Sequence, residues 1–152
     1  WKIRTAIAQN PSSFSAILVS DTLIESPSNG HLIGQPDSAE SARMMLIDLI
    51  ETPHRIATCT AWTMVGDAEE IIHEYVEVAV TRLSDPGDTW LDDYLAVGGW
   101  RGKAGGYDAG GDFSPWVTII EGSMLAVLGF AGTGLETLET ALGIEPTSTE
   151  MF

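Results

Sequence analysis

Lysine is nearly missing from this sequence. Two lysines and five arginines stand against 22 acidic residues, for a net charge of −15. That balance excludes a basic face able to hold a nucleic-acid polymer through its phosphates. It also suits a protein selected for solubility in salt. Cysteine occurs once, so no internal disulfide forms, and Cys59, in an alternating strand-like run, reads as a buried inert thiol. No apolar run reaches the roughly 18 residues that a membrane span needs. The longest apolar-rich stretch, Ile119 to Ala131, is broken by Glu121, Gly122, Ser123 and Gly129. No signal-peptide pattern, repeat or low-complexity tract is present, so the expectation is a soluble cytoplasmic protein without a membrane partner. No methionine opens the chain either. It begins at Trp1 inside a segment that already reads as helix, which leads to the expectation of a domain that has lost something upstream.

What is present is one domain's worth of chain: 152 residues, 44% of them apolar. Ile3, Ala6 and Ile7 form a short helical stripe within Trp1 to Gln9, ended by Asn10 and Pro11. Ala16 to Val19 reads as a short buried strand ending at Ser20-Asp21-Thr22, continued or bent through Leu23 and Ile24. Ser26 to Gly30 and Gly34-Gln35-Pro36 are turns. The clearest helix carries Ala42, Met45, Leu46, Leu49 and Ile50 on one face, with Asp37 and Glu40 as its capping pair and Pro53 as its stop. Arg55 to Val65 and Ile71 to Leu83 read as long strands joined through Gly66 to Glu69. Asp88 or Thr89 caps a helix through Leu95, stopped by Gly98-Gly99. Trp116 to Glu121 and Met124 to Leu128 read as two further strands, and Leu135 to Leu142 as a last helix. Long strands side by side, mixed with strands that lead into helices, predict α/β architecture with a mixed sheet.

Asp21 is the strongest candidate for chemistry. A carboxylate between two hydroxyl residues at a strand end can hold a magnesium or manganese ion, or orient an attacking water. The bland reading is an aspartate bonding its own turn. Lys103 lies in Gly102-Lys103-Ala104-Gly105-Gly106-Tyr107, among glycines whose bare backbone can approach a phosphate. Arg101 beside it offers a forked donor, although the spacing is not that of a Walker loop. His54 precedes a strand and could contact a ligand, while a structural role is the commoner fate of a lone histidine. His31 and His73 lack metal-ligand spacing, and Glu69, Glu70 and Glu74 read as a solvated edge. Gly129 to Gly134 mimics part of a dinucleotide fingerprint, but no βαβ unit with an acidic residue about 20 positions on can follow so near the end.

In order along the chain, these pieces resemble the Maf family, also called septum-formation inhibitors. The matching stretches are Ser20 to Ile24, Ile33 to Pro36 with its helix, and His54 to Thr58. Further on come Trp90 to Tyr94, Gly102 to Tyr107, Ile120 to Gly122 and Val127 to Gly129. The resemblance implies a two-lobed mixed α/β fold related to inosine triphosphatases, one domain over residues 1–152, with nucleotide bound between the lobes. It implies metal-dependent hydrolysis of a pyrimidine or modified nucleoside triphosphate between its α- and β-phosphates, and a homodimer. Asp21 would activate water or bind Mg2+ or Mn2+, Lys103 would offset phosphate charge, and Thr22, Gln35, His54 and Arg101 would line the site. Three departures accompany the match. Gln35 stands where the family usually has lysine, Gly110 near where it often has glutamine, and the family's N-terminal strand and phosphate loop would fall before Trp1. These departures favour an alternative, a nucleotide-binding or structural relative of the same fold that has lost turnover.

Overall fold

The computed structural model describes residues 2–9, 14–66 and 71–144. A five-stranded sheet in the order β2-β1-β3-β4-β5 organises it. The strands are β1 (Ala16–Glu25), β2 (Leu32–Ile33), β3 (His54–Met64), β4 (His73–Leu83) and β5 (Val117–Glu121). Helices α1 (Lys2–Ala8), α2 (Ala39–Leu49), α3 (Asp88–Val97), α4 (Met124–Leu128) and α5 (Gly132–Ala141) flank it. The α/β class read from the sequence holds. Its strand directions are more uniform than expected, because every ladder between these strands is antiparallel. Parallel pairing is reduced to a bridge between Ile50 and Leu83.

Alternation along β3 buries Ile56, Thr58, Thr60 and Trp62 on one face. Against one end of that face sit α2, through Ala42, Leu46 and Leu49, and an aromatic cluster. Phe113, fully buried, meets Trp90 and Tyr94 edge-on with centroids 4.9 Å away, and Trp90 stacks on Tyr94. Against the other end lie α4 and α5, both packed on β3 and β4. A cleft beside β1 lies between the 102–110 segment and the end of α4.

Several local expectations are corrected. Met124–Leu128 is a helix, not a strand. A five-residue apolar run cannot declare its own state. Here the Ser123 side chain accepts the Ala126 N–H, Gly129 closes the turn at φ 100°, and the Thr58 hydroxyl donates to the Ala126 carbonyl at 2.8 Å. The Ser20-Asp21-Thr22 triplet does not end β1, because it lies in register with Thr60, Cys59 and Thr58 of β3 along an unbroken ladder. Helix α2 is capped by Ser38, whose side chain accepts from Ser41 N–H, while Asp37 accepts from the Ser41 hydroxyl instead of capping. Helix α3 begins at Gly87 without a side-chain cap, so neither Asp88 nor Thr89 plays that part. Of the acids expected on a solvated edge, Glu74 is exposed; Glu69 and Glu70 fall outside the described residues. Cys59 is half-buried, not fully so, and burial followed by the nearby Glu74 and Asp21 raises its thiol pKa, which keeps it protonated.

Buried threonines pin the α4–α5 segment to the sheet. The Thr60 hydroxyl accepts the Ala131 N–H at 2.7 Å, with both residues out of contact with water. Thr60→Val keeps the shape and removes the acceptor. The variant is expected to lose about 1–3 kcal/mol in urea unfolding, the cost of a buried N–H left unpaired. A change below about 0.5 kcal/mol, the range of an inconsequential surface substitution, would show that the hydroxyl is not what holds this segment.

Candidate active site

The cleft has a volume of about 250 Å³ and draws its walls from several parts of the chain. β1 supplies Ser20, Asp21, Thr22 and Ile24; the 102–110 segment supplies Lys103, Tyr107 and Asp108; Val127 to Gly129 close the far side. Gln35 joins them from the turn before α2. Asp21, Thr22, Gln35 and Lys103, all singled out from sequence, are therefore brought together. His54 and Arg101 do not line this cleft.

Asp21 lies in the middle of β1 with its side chain 58% exposed. Its Oδ1 accepts the Thr22 N–H at 3.2 Å and faces Lys2 Nζ at 2.6 Å. Lys2, on α1, also donates to the Ser20 carbonyl at 3.3 Å. Sequence reasoning missed Lys2. The signal that drew attention to Lys103, rarity of lysine in an acid-rich chain, applied equally to it. Both lysines of the chain prove to be ion-paired to carboxylates of the cleft wall, since Lys103 Nζ lies 3.0 Å from Asp108 Oδ2. Thr22 shares a hydrogen bond with Thr58, hydroxyl to hydroxyl at 2.9 Å, so it is tied to the sheet as well as facing the cleft.

The glycines after Lys103 serve packing more than ligand approach. Gly105 has φ 64°, and a Cβ there would lie 2.6 Å from Ile24 Cδ1 and 2.9 Å from Leu49 Cδ1. Both Gly105 and Gly106 are buried. Gly105 N–H donates to the Gly34 carbonyl at 2.9 Å, and the Tyr94 hydroxyl to the Gly106 carbonyl at 3.0 Å. Lys103 thus projects from a loop anchored on its interior side.

Tyr107 carries that anchoring to the sheet. Its hydroxyl lies 3.1 Å from His54 Nε2. His54 is buried, which explains why it leaves the cleft wall: it supports Tyr107 from behind. The Thr52 carbonyl, 3.0 Å from Nδ1, can only accept, so Nδ1 carries the proton and Nε2 accepts from Thr81 or Tyr107. Burial pushes the Tyr107 phenol up to about 12, which keeps it a donor. Arg101 turns away because its guanidinium lies over the Trp100 ring, 5.0 Å from the centroid, in space left by the absent side chain of Gly98.

Burial lowers the His54 pKa, against smaller opposing effects of the Thr52 carbonyl and Asp48. A folded value below the unfolded one means that the unfolded chain binds more protons in acid. His54 therefore contributes stability that is complete above its ordinary value and is lost as pH falls below it. Between about pH 7.5 and about pH 5.5 the urea midpoint is expected to fall more for this protein than for His54→Gln. Equal falls would remove His54 from the account.

The profile of the Maf-like protein family matches residues 2–140. The chain belongs to the Maf-like family. It is 31% identical over 132 residues to the dTTP/UTP pyrophosphatase of Pyrococcus horikoshii, covering 87% of this chain and 67% of that protein. It is 32% identical over 139 residues to the dTTP/UTP pyrophosphatase of Cereibacter sphaeroides, covering 91% and 68%. A third such enzyme, from Koribacter versatilis, is 33% identical over 130 residues, covering 84% of this chain and 62% of the relative. The chain thus spans about two thirds of the length of the Pyrococcus and Cereibacter relatives. Membership of the family agrees with the order of motifs from β1 to the Lys103 loop.

Proposed function

We propose that this Maf-like protein hydrolyses a pyrimidine nucleoside triphosphate, of the dTTP or UTP kind, to the monophosphate and pyrophosphate. The observation that carries the reading is the convergence of Asp21, Lys103, Thr22 and Gln35 on one cleft in a chain whose relatives bear that activity.

Asp21 takes a proton from a water molecule that attacks the α-phosphorus. The new P–O bond forms there as the bond to the α–β bridging oxygen breaks, and pyrophosphate leaves with that oxygen. Lys103 offsets charge on the departing phosphates. Lys2 fixes the orientation of the Asp21 carboxylate through Oδ1. Gln35 offers the phosphates a neutral hydrogen bond where a lysine would offer a charge-assisted one, roughly twice as strong. Among the described residues no group of three or more His, Cys, Asp or Glu side chains converges as a metal cage. The donor set fits a Mg2+ or Mn2+ ion that arrives with the polyphosphate, keeps several waters and needs only one or two carboxylates. Asp21 would hold it, and the ion would supply charge neutralisation. The place proposed for this work on a free nucleotide is the cytoplasm; no helix among the described residues is long and apolar enough to cross a membrane.

A second reading, a binding relative without turnover, is favoured by Gln35 and by the ion pair that already occupies Lys103. Product analysis separates the two. The full chain is incubated with UTP, dTTP, CTP or ITP and magnesium or manganese. Monophosphate and pyrophosphate in equal amounts are expected from dTTP or UTP. Nucleotide binding without either product, in a folded sample, would establish the second reading.

A further inference from the structure

Asp108 occupies the charge that a phosphate needs. Its Oδ2 lies 3.0 Å from Lys103 Nζ, and both residues line the cleft. Its position is built into the loop. The Asp108 carbonyl accepts N–H bonds from Gly111 at 3.1 Å and Phe113 at 3.2 Å. A Cβ added at Gly111 would lie 2.8 Å from both Cγ and Oδ2 of Asp108. Gly111 is not among the glycines of positive φ, so the backbone there does not demand glycine. The space it leaves is filled by the Asp108 carboxylate.

We propose that Asp108 is a charge gate, an internal competitor for phosphate at Lys103 that makes the cleft discriminate against polyphosphate arriving without a metal ion. The inference rests on reading the cleft as a polyphosphate site. With Lys103 neutralised and Gln35 uncharged, this wall offers little net attraction to a bare polyanion. The carboxylate repels it at contact distance. A polyphosphate already complexed with a divalent cation carries less charge to be repelled and brings a cation that attracts Asp108 itself. It can take over Lys103 at smaller cost. A loop staple without this role would affect folding alone and would leave anion affinity where it was.

Asp108→Asn keeps the shape and removes the charge. Inorganic pyrophosphate, with and without magnesium, is titrated calorimetrically into the full chain, Asp108→Asn and the double variant Lys103→Ala/Asp108→Asn. Thermal unfolding is followed in parallel. The single variant is expected to bind metal-free pyrophosphate about tenfold more tightly than the parent, with a smaller gain for the magnesium complex and the gain lost when Lys103 is also removed. Equal or weaker binding by Asp108→Asn overturns the proposal, as does a double variant that binds pyrophosphate as tightly as Asp108→Asn. Pyrophosphate binding to none of the three proteins overturns the gate and the polyphosphate site together. Absence of nucleotide turnover, with the pyrophosphate gain intact, overturns only the hydrolase reading and leaves the gate in place.

Discussion

Asp21→Asn is expected to lower kcat for dTTP or UTP by roughly 10²–10⁴-fold, the contribution of a positioned general base. The amide retains the size of the carboxylate but cannot take the proton from water and is a poor partner for Lys2. The fold should survive. Asp21 is largely exposed, and its pair with Lys2 is screened by solvent on both sides, so breaking it should cost less than about 1 kcal/mol in urea unfolding. Activity and stability are thereby expected to separate, which distinguishes a chemical role from the bland one of tying a turn. That turn role has already lost its footing, because Asp21 lies inside a continuous strand. Retention of full turnover by the asparagine variant would remove Asp21 from the mechanism.

The fold was legible where periodicity runs long. β3 and β4, eleven residues each, repeat every second residue over enough length to declare themselves, and α2 shows its buried stripe of Ala42, Leu46 and Leu49. Short elements were not legible. Met124–Leu128 has the composition of a strand and is made helical by Ser123, Gly129 and a threonine 68 residues away. Polar residues in β1 imitated a strand end because the hydroxyls that receive them, Thr58 and Thr60, sit on a neighbour that sequence order does not reveal.

The site divides in the same way. Asp21 and Lys103 stood out through residue type and local setting. His54 was placed at the cleft, yet its partner Tyr107 lies 53 residues on and draws it into the core. Lys2 was passed over because α1 was read only as a helix, though α1 packs on β1 and sets its ammonium beside Asp21. In a chain of 22 acids, a lysine is conspicuous wherever it lies.

Lys103→Ala is expected to reduce kcat/KM by roughly 10²–10³-fold, in the range of losing one preorganised donor to developing charge. Its effect should fall on both KM and kcat, since the ammonium meets phosphate in the ground state and meets more charge as pyrophosphate leaves. Part of that loss is not due to the missing cation. Removing Lys103 leaves the Asp108 carboxylate in the cleft wall without its partner, facing the incoming phosphates. The two substitutions should therefore not add. Lys103→Ala/Asp108→Asn is expected to be more active than Lys103→Ala alone, though below the parent, and the difference measures the repulsion by itself. A double variant no better than the single one would mean that Asp108 swings clear of the substrate once Lys103 releases it. An unchanged kcat/KM in Lys103→Ala would return this lysine to the solvent and leave the cleft with no positive charge on its 102–110 wall to hold a phosphate.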